Sequence, residues 1–320
     1  MKERVDFSSS LADRLIGFLA FKRMQGHDYS GNIFRIRHLD SFLTREGSDD
    51  GILHAETLKS YCDEVAGLCV NSASGYQTVA RQFSIYLHAF KPESAVLPAR
   101  IHFRHSRQIR FYPLSEDQIA DLMAATDIVG FRCAIRRHCF RFLIGFLYCT
   151  GLRISEALAL NMQDVDTRYA TLFIRRGKFH KERLVAMSSS TVEAMKVWLG
   201  HRQQYAGDAS SAPLFVVERH KRPDRYQASH AFRRICQHCG IEGDPHPRLH
   251  DLRHNYACRC VSQWREQGKD VNALLPVLAN AMGHVDYYAT QVYIHINAAS
   301  LRDAACKFDA HVRNTLENSK

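Results

Sequence analysis

Apolar residues recur at helical spacing in four successive stretches before Lys91, and this pattern limits the possible fold more than any other feature of the chain. Side chains three or four positions apart lie on one face of a helix, so each stretch has an apolar face that must pack on another element. Four such helices in succession predict a helical bundle. The expected helices span residues 10–24, 32–46, 55–66 and 72–90.

The helical pattern stops between Lys91 and Pro113, where prolines interrupt a segment with five lysine and arginine residues against one acid. Prolines without helical periodicity are typical of a linker. The sequence therefore predicts a helical domain over 1–95, a basic linker over 96–113 and a second domain over 114–320. A solvated linker can have the same composition, but we expect this one to contact a phosphate backbone. The linker residues expected to do so are Arg100, Arg104, Arg107 and Arg110.

The second domain combines further helices with a short β-hairpin. Ser115 and Gln118 have the spacing of a capping box at the start of its first helix. Residues 171–176 and 183–187 have strand-type composition on either side of a polar turn. The expected fold class is mainly α with a small β-sheet. Its helices are predicted over 116–125, 128–149, 190–205, 227–239, 250–267, 272–282 and 287–294.

Composition excludes several classes of protein. With 46% hydrophobic residues, the chain can build packed cores, so a disordered chain is not expected. A formal charge of +10 favours a polyanionic partner, although many basic proteins bind none. The sequence contains no apolar run of the roughly 18–20 residues that a membrane span needs. The N-terminus, MKERVDFSSS, lacks the apolar centre of a secretory signal, so we expect a cytoplasmic protein without a membrane partner.

One cysteine pair has the spacing of a metal site. Cys236 and Cys239 form a C-x-x-C, and His246 and His250 follow, so half of a zinc site is one interpretation. The pair also lies in a stretch with helical periodicity, where Cys236 falls on the apolar face with Phe232. We favour this structural role and expect no metal.

Two blocks contain arginines suited to phosphate binding. Arg153 lies in TGLRISE, after a glycine at the end of an apolar helix, where an ordinary surface arginine is the alternative. In HDLRH, helical spacing brings His250, Arg253 and His254 to one face, and such a cluster is poor core material. Guanidinium is always charged and contacts two phosphate oxygens at once. Two histidines at i and i+4 can also bind zinc, but Asp251 replaces the glutamate of H-E-x-x-H.

A third block places His284 after Gly283, with Tyr293 nine residues later. Taken separately, each of these residues also suits a structural role. The ordered set of TGLR-x-S-E, HDLRH, GH and a tyrosine nine residues on resembles the tyrosine recombinase family of phage integrases, Xer-type resolvases and transposon enzymes. The similarity covers about 114–301, and the N-terminal bundle more loosely resembles the core-binding domain of that family.

The resemblance implies a role for each matching residue. Arg153 and Arg253 correspond to the arginines that bind the scissile phosphate, and Tyr293 corresponds to the nucleophile. Lys178, in a hairpin resembling GK-x-x-KERLV, corresponds to the proton donor for the leaving oxygen, with Lys181 as the second choice. The remaining roles fall to His250 (proton movement), His284 (phosphate contact or tyrosine orientation), Glu156 (bracing the site) and His254 (support).

The resemblance also implies an activity: site-specific cleavage and rejoining of double-stranded DNA through a 3′-phosphotyrosine, with no cofactor. It implies a tetramer on paired DNA sites, possible accessory recombination proteins and a location at the nucleoid. The segment from Asn297 to about Val312 has a modest apolar stripe and could pack on its own subunit or on a neighbour. The alternatives are DNA relaxation of the type IB topoisomerase kind and a DNA-binding relative without catalysis.

Overall fold

The computed structural model describes residues 6–27, 29–47, 50–68, 70–98, 111–175, 182–284 and 290. The chain divides into two compact units, Met1–Gln108 and Ile109–Lys320. The predicted boundaries of the basic linker stay a prediction, because most of 96–113 lies outside the described residues.

The first unit is helical, as its periodicity predicts. Leu15, Phe18, Ile36 and Phe83 are each fully buried in its core, where the apolar faces of the helices meet. Ser8 and Ser9 donate their backbone N–H groups to the buried carboxylate of Asp40, which ties the segment before the first helix to the second helix. The helices of this unit are α1 (Ala12–Met24), α2 (Ile33–Glu46), α3 (Ala55–Ala66) and α4 (Val70–His88).

The second unit surrounds a small antiparallel sheet with helices, so the expected fold class is confirmed. The sheet has the order β1-β2-β3, and Leu172 pairs with Val185 in the predicted hairpin. The strands are β1 (Val165–Asp166), β2 (Thr171–Ile174) and β3 (Arg183–Ala186). The helices are α5 (Glu116–Ala125), α6 (Ala134–Thr150), α7 (Ile154–Ala159), α8 (Ser189–Gln203), α9 (Arg225–His238), α10 (Leu249–Glu266) and α11 (Val271–Met282).

Helix α6 forms the centre of the second unit, and α5, α8, α9 and α10 all pack against it. Its Phe142 stacks on Trp198 of α8 at a ring distance of 5.8 Å and on Phe215 at 5.6 Å. The indole nitrogen of Trp198 donates to the carbonyl of Leu214 at 3.1 Å, so its polar atom is satisfied within the core. This central position fixes the end of α6, from which the functional site is built.

One expected helix begins later than predicted, and one short helix was not expected. The helix predicted from residue 128 begins at Ala134, because Cys133 in the N-cap position is extended (φ −153°, ψ 155°). Helix α7 was not expected, since six residues are too short to display a helical period. The helix predicted over 287–294 lies outside the described residues apart from Thr290. Within the described ranges, no helix combines the length and the apolar character needed to cross a bilayer.

Candidate active site

The site begins at the turn between α6 and α7. Gly151 ends α6 in the left-handed conformation (φ +63°) and donates its N–H to the carbonyl of Leu147 at 3.0 Å. A Cβ on Gly151 would lie 2.2 Å from the Tyr256 ring, so a glycine is required both for the backbone and for space. Arg153 then precedes α7, and its N–H donates to the carboxylate of Glu156 at 3.1 Å. The sharp turn places Arg153 at the junction of two helices.

Helix α10 brings the second arginine to the same turn. Its start is fixed by Asp251, a fully buried carboxylate that accepts from the backbone N–H of Arg248 at 2.8 Å. The aspartate of the HDLRH block is therefore a helix-capping residue. Arg253 is 2% exposed and donates to the carbonyl of Gly151 at 2.7 Å. Two motifs about 100 residues apart in sequence thus meet at Gly151.

Three guanidinium groups converge on the C-terminus of α11. Arg183 donates to the carbonyl of Ala281 at 2.9 Å, Arg253 to that of Met282 at 2.8 Å, and Arg153 to that of Gly283 at 2.7 Å. The last carbonyls of a helix have no partner within the helix and carry its partial negative charge, so cations are favourable there. These contacts join the start of α7, α10 and β3 to the C-terminus of α11.

The turn that ends α11 fixes the position of His284. Gly283 takes the left-handed conformation (φ +65°), and His284 donates its backbone N–H to the carbonyl of Ala279 at 2.9 Å. Nδ1 of His284 lies 2.7 Å from the hydroxyl of Thr290, which is fully buried. The G-H pair of the sequence is therefore a helix-ending turn that positions an imidazole beside the arginines.

The three histidines of the site are neutral at neutral pH. Burial lowers the pKa of His284 to about 3, helped by the positive charges of Arg253 and Arg153. Burial and the neighbouring His250 lower the pKa of His254 to about 3, and its ring packs on His250 at 4.8 Å. Burial, followed by Arg253, lowers the pKa of His250 as well. Neutral imidazoles can accept a proton, which charged ones cannot.

Glu156 is the buried carboxylate beneath the arginines, with a side chain only 2% exposed. Its Oε1 accepts from Arg153 at 2.7 Å and from Arg183 at 3.1 Å, and its Oε2 accepts from Arg183 at 2.8 Å. Burial alone would raise the pKa of this carboxyl, but the hydrogen bonds and charges of Arg183 and Arg153 hold it below its ordinary value. Glu156 is therefore an anion braced between two cations.

Sequence reasoning missed two residues of this arrangement. Arg183 lies on the same face of β3 as the buried Val185, and this period of two was the signal that could have placed it inside. Asn255 donates to the carbonyl of Tyr112 at 3.0 Å and accepts from the N–H of Leu114 at 2.9 Å. It fastens the start of the second unit to α10, and nothing in its local sequence indicates this contact.

The cysteine pair belongs to the core of the second unit. Cys236 is 2% exposed on α9, and burial raises the pKa of its thiol to about 12, so the thiol is protonated. No group of three or more potential metal ligands occurs among the described residues.

The structure therefore brings Arg153, Arg253, His250, His254, His284 and Glu156 together. Arginines outnumber buried carboxylates around the neutral imidazoles, because Arg248 balances Asp251 and three further arginines face the single carboxylate of Glu156. This excess of positive charge suits a phosphodiester. The other predicted site residues lie outside the described residues: Lys178, Lys181, Tyr293, Arg100, Arg104, Arg107 and Arg110.

Comparisons with known proteins agree with this chemistry. Residues 113–300 match the model of the phage integrase family. The putative integrase/recombinase y4rB of Sinorhizobium fredii is 33% identical over 231 residues, which cover 70% of this chain and 74% of that protein. Tyrosine recombinase XerC of Mycobacterium tuberculosis is 29% identical over 278 residues, which cover 83% of this chain and 87% of that protein.

Solved structures share the fold. The XerH site-specific recombinase bound to a palindromic difH substrate aligns with a TM-score of 0.65 and 19% identity, over 85% of this chain and 77% of that chain. The Tn1549 transposon integrase in complex with transposon right end DNA aligns with a TM-score of 0.62 and 14% identity, over 91% of this chain and 99% of that chain. The chain belongs to the phage integrase family, and it is a tyrosine-type site-specific DNA recombinase.

Proposed function

We propose that Arg153, Arg253 and His284 bind the scissile phosphate of a DNA strand and that Tyr293 attacks it. The observation that carries this assignment is the convergence of both arginines on the carbonyls of Met282 and Gly283, directly before His284. Fixed donors around a growing negative charge stabilise the transition state without reorganisation.

The reaction would conserve the energy of the phosphodiester bond. The Tyr293 oxygen forms a bond to phosphorus, and the bond from phosphorus to the 5′ oxygen breaks, which leaves a 3′-phosphotyrosine and a 5′ hydroxyl. A phenol with an ordinary pKa near 10 must lose its proton, and neutral His250 is suited to take it. Lys178 would give a proton to the departing 5′ oxygen. Attack by the 5′ hydroxyl of a partner duplex reverses the step, so neither a metal nor a nucleotide cofactor is needed.

Double-stranded DNA is the proposed partner, because the XerH and Tn1549 structures are complexes with DNA. Residues 1–95 would form a core-binding domain, and Arg100, Arg104, Arg107 and Arg110 would contact the phosphate backbone near it. We extend the proposal to a tetramer on paired sites, to accessory recombination proteins and to a location at the nucleoid. Binding through the linker arginines should weaken steeply with salt, because each phosphate contact releases counterions.

A nicked suicide substrate tests the nucleophile, because loss of the short fragment that carries the 5′ hydroxyl traps the covalent protein–DNA adduct. The chain should form this adduct, and Tyr293→Phe should form none, since phenylalanine lacks the attacking oxygen. Tyr287→Phe and Tyr288→Phe are matched controls from the same segment and should keep the adduct. An adduct in Tyr293→Phe would refute the assignment. A two-site recombination assay beside a supercoil relaxation assay then separates strand exchange from relaxation.

A further inference from the structure

Arg183 has more contacts within the site than its place in a short strand predicts. Its side chain is 8% exposed, and both terminal nitrogens donate to Glu156, at 3.1 and 2.8 Å. Its Nε donates to the carbonyl of Ala281 at 2.9 Å, and a Cβ on Gly283 would lie 2.7 Å from its Nη1. The guanidinium therefore fills the space between the buried carboxylate and the turn that positions His284.

The charges around Glu156 indicate the effect of its ion pair with Arg183. Glu156 is buried and ionised, and Arg153 is bound to the same carboxylate at 2.7 Å. With Arg183 present, two cations share one anion, and the group keeps a net positive charge. Without Arg183, Glu156 would neutralise Arg153, and a phosphate would face a pair with no net charge. At a buried position this difference is large, because the surroundings screen charge poorly.

We propose that Arg183 is a positioning residue for strand cleavage, which neutralises Glu156 so that the charge of Arg153 acts on the scissile phosphate. It also holds the C-terminus of α11, and hence His284, against the sheet. This inference rests on the proposed function, because it assigns Arg183 a task through Arg153. Arg183 itself need not touch the DNA.

The test compares single-turnover cleavage of the suicide substrate at saturating protein. Arg183→Gln keeps a hydrogen-bonding side chain but removes the charge, and cleavage should slow by about 10²-fold, the loss typical of a misplaced catalytic group. Replacing Glu156 with glutamine in the Arg183→Gln chain removes the negative charge and should restore the net positive charge at Arg153. The double variant Glu156→Gln/Arg183→Gln should therefore cleave at least about tenfold faster than Arg183→Gln alone. Arg183→Lys, which keeps the charge without the planar fork, should lie between the wild type and Arg183→Gln.

A general loss of stability would give a different pattern. Arg202→Gln is the matched control, because Arg202 is a fully buried arginine of α8 that donates to the carbonyls of Pro213 and Gly207. Below its melting temperature this variant should cleave at the wild-type rate. A double variant no faster than Arg183→Gln, or an Arg183→Gln chain that cleaves normally, would overturn the role of Arg183. A wild-type chain that forms no adduct would instead overturn the proposed function.

Discussion

Replacing Gly151 with alanine tests whether the turn between α6 and α7 requires glycine for two separate reasons. The first is conformational: an alanine at φ +63° costs about 1–2 kcal/mol relative to glycine. The second is steric: the new Cβ would lie 2.2 Å from Cδ1 of Tyr256, and an extra methyl in a packed interior costs about 1–3 kcal/mol. Gly151→Ala should therefore lower the free energy of unfolding by about 2–5 kcal/mol.

Gly130 provides the matched control. It also has a positive φ of +69°, but an added Cβ would meet nothing within 4 Å. Gly130→Ala should lose only the conformational part, about 1–2 kcal/mol. Urea unfolding monitored by circular dichroism measures both losses. Equal losses for the two variants would show that the contact with Tyr256 contributes nothing, and the steric argument would fail.

Gly151→Ala should also slow strand cleavage, since the carbonyl of Gly151 accepts a hydrogen bond from Arg253 and the turn positions Arg153. A displacement of about 1 Å costs on the order of 10²-fold in rate. The suicide-substrate assay, run well below the unfolding transition, measures this effect separately from stability. The control variant Gly130→Ala should cleave at the wild-type rate. If Gly151→Ala is less stable but also cleaves at the wild-type rate, the inferred link between this turn and the arginines is wrong.

Two further predictions concern stability. Burial lowers the pKa of His254 and of His284 to about 3, whereas a histidine in the unfolded chain has a pKa of 6.5. Between about pH 3 and pH 6.5 the unfolded state therefore binds more protons than the folded state. The free energy of unfolding, measured by urea titration, should therefore fall as the pH falls from 6.5 towards 3. A His254→Gln/His284→Gln variant should show a shallower decline with pH, and the same decline in both proteins would contradict the burial argument. Asn255→Ala should lose about 1–3 kcal/mol in the same assay, because the N–H of Leu114 and the carbonyl of Tyr112 lose their partner. An Asn255→Ala chain with the same free energy of unfolding as the wild type would contradict this prediction and would show that water replaces these hydrogen bonds.

Much of the fold follows from local sequence. Helices α1–α4 bury most of the residues that their periodicity selects, because an amphipathic helix is stable when its apolar face is packed, although Phe34 of α2 is 53% exposed. Short or interrupted elements were harder to predict. The six residues of α7 show no period, and the chain before Ala134 is apolar enough to resemble a helix although Cys133 is extended.

The motif residues were identified because their order and spacing resemble those of the tyrosine recombinase family, and because arginine and histidine suit the chemistry of phosphate transfer. Sequence could not show that Arg183 joins them, since its partners Glu156 and Ala281 are far away along the chain and meet it only in the folded unit.

The sequence alone thus determined the helical character of the chain and the residue types of its site. The tertiary structure decided which groups share a charge and which are neutral. The low pKa of His284 arises from burial and from arginines on α10 and at the start of α7. The net charge around Arg153 depends on how Arg153 and Arg183 divide the carboxylate of Glu156. Burial and charge sharing depend on distances through space, and these exist only once distant segments have packed together.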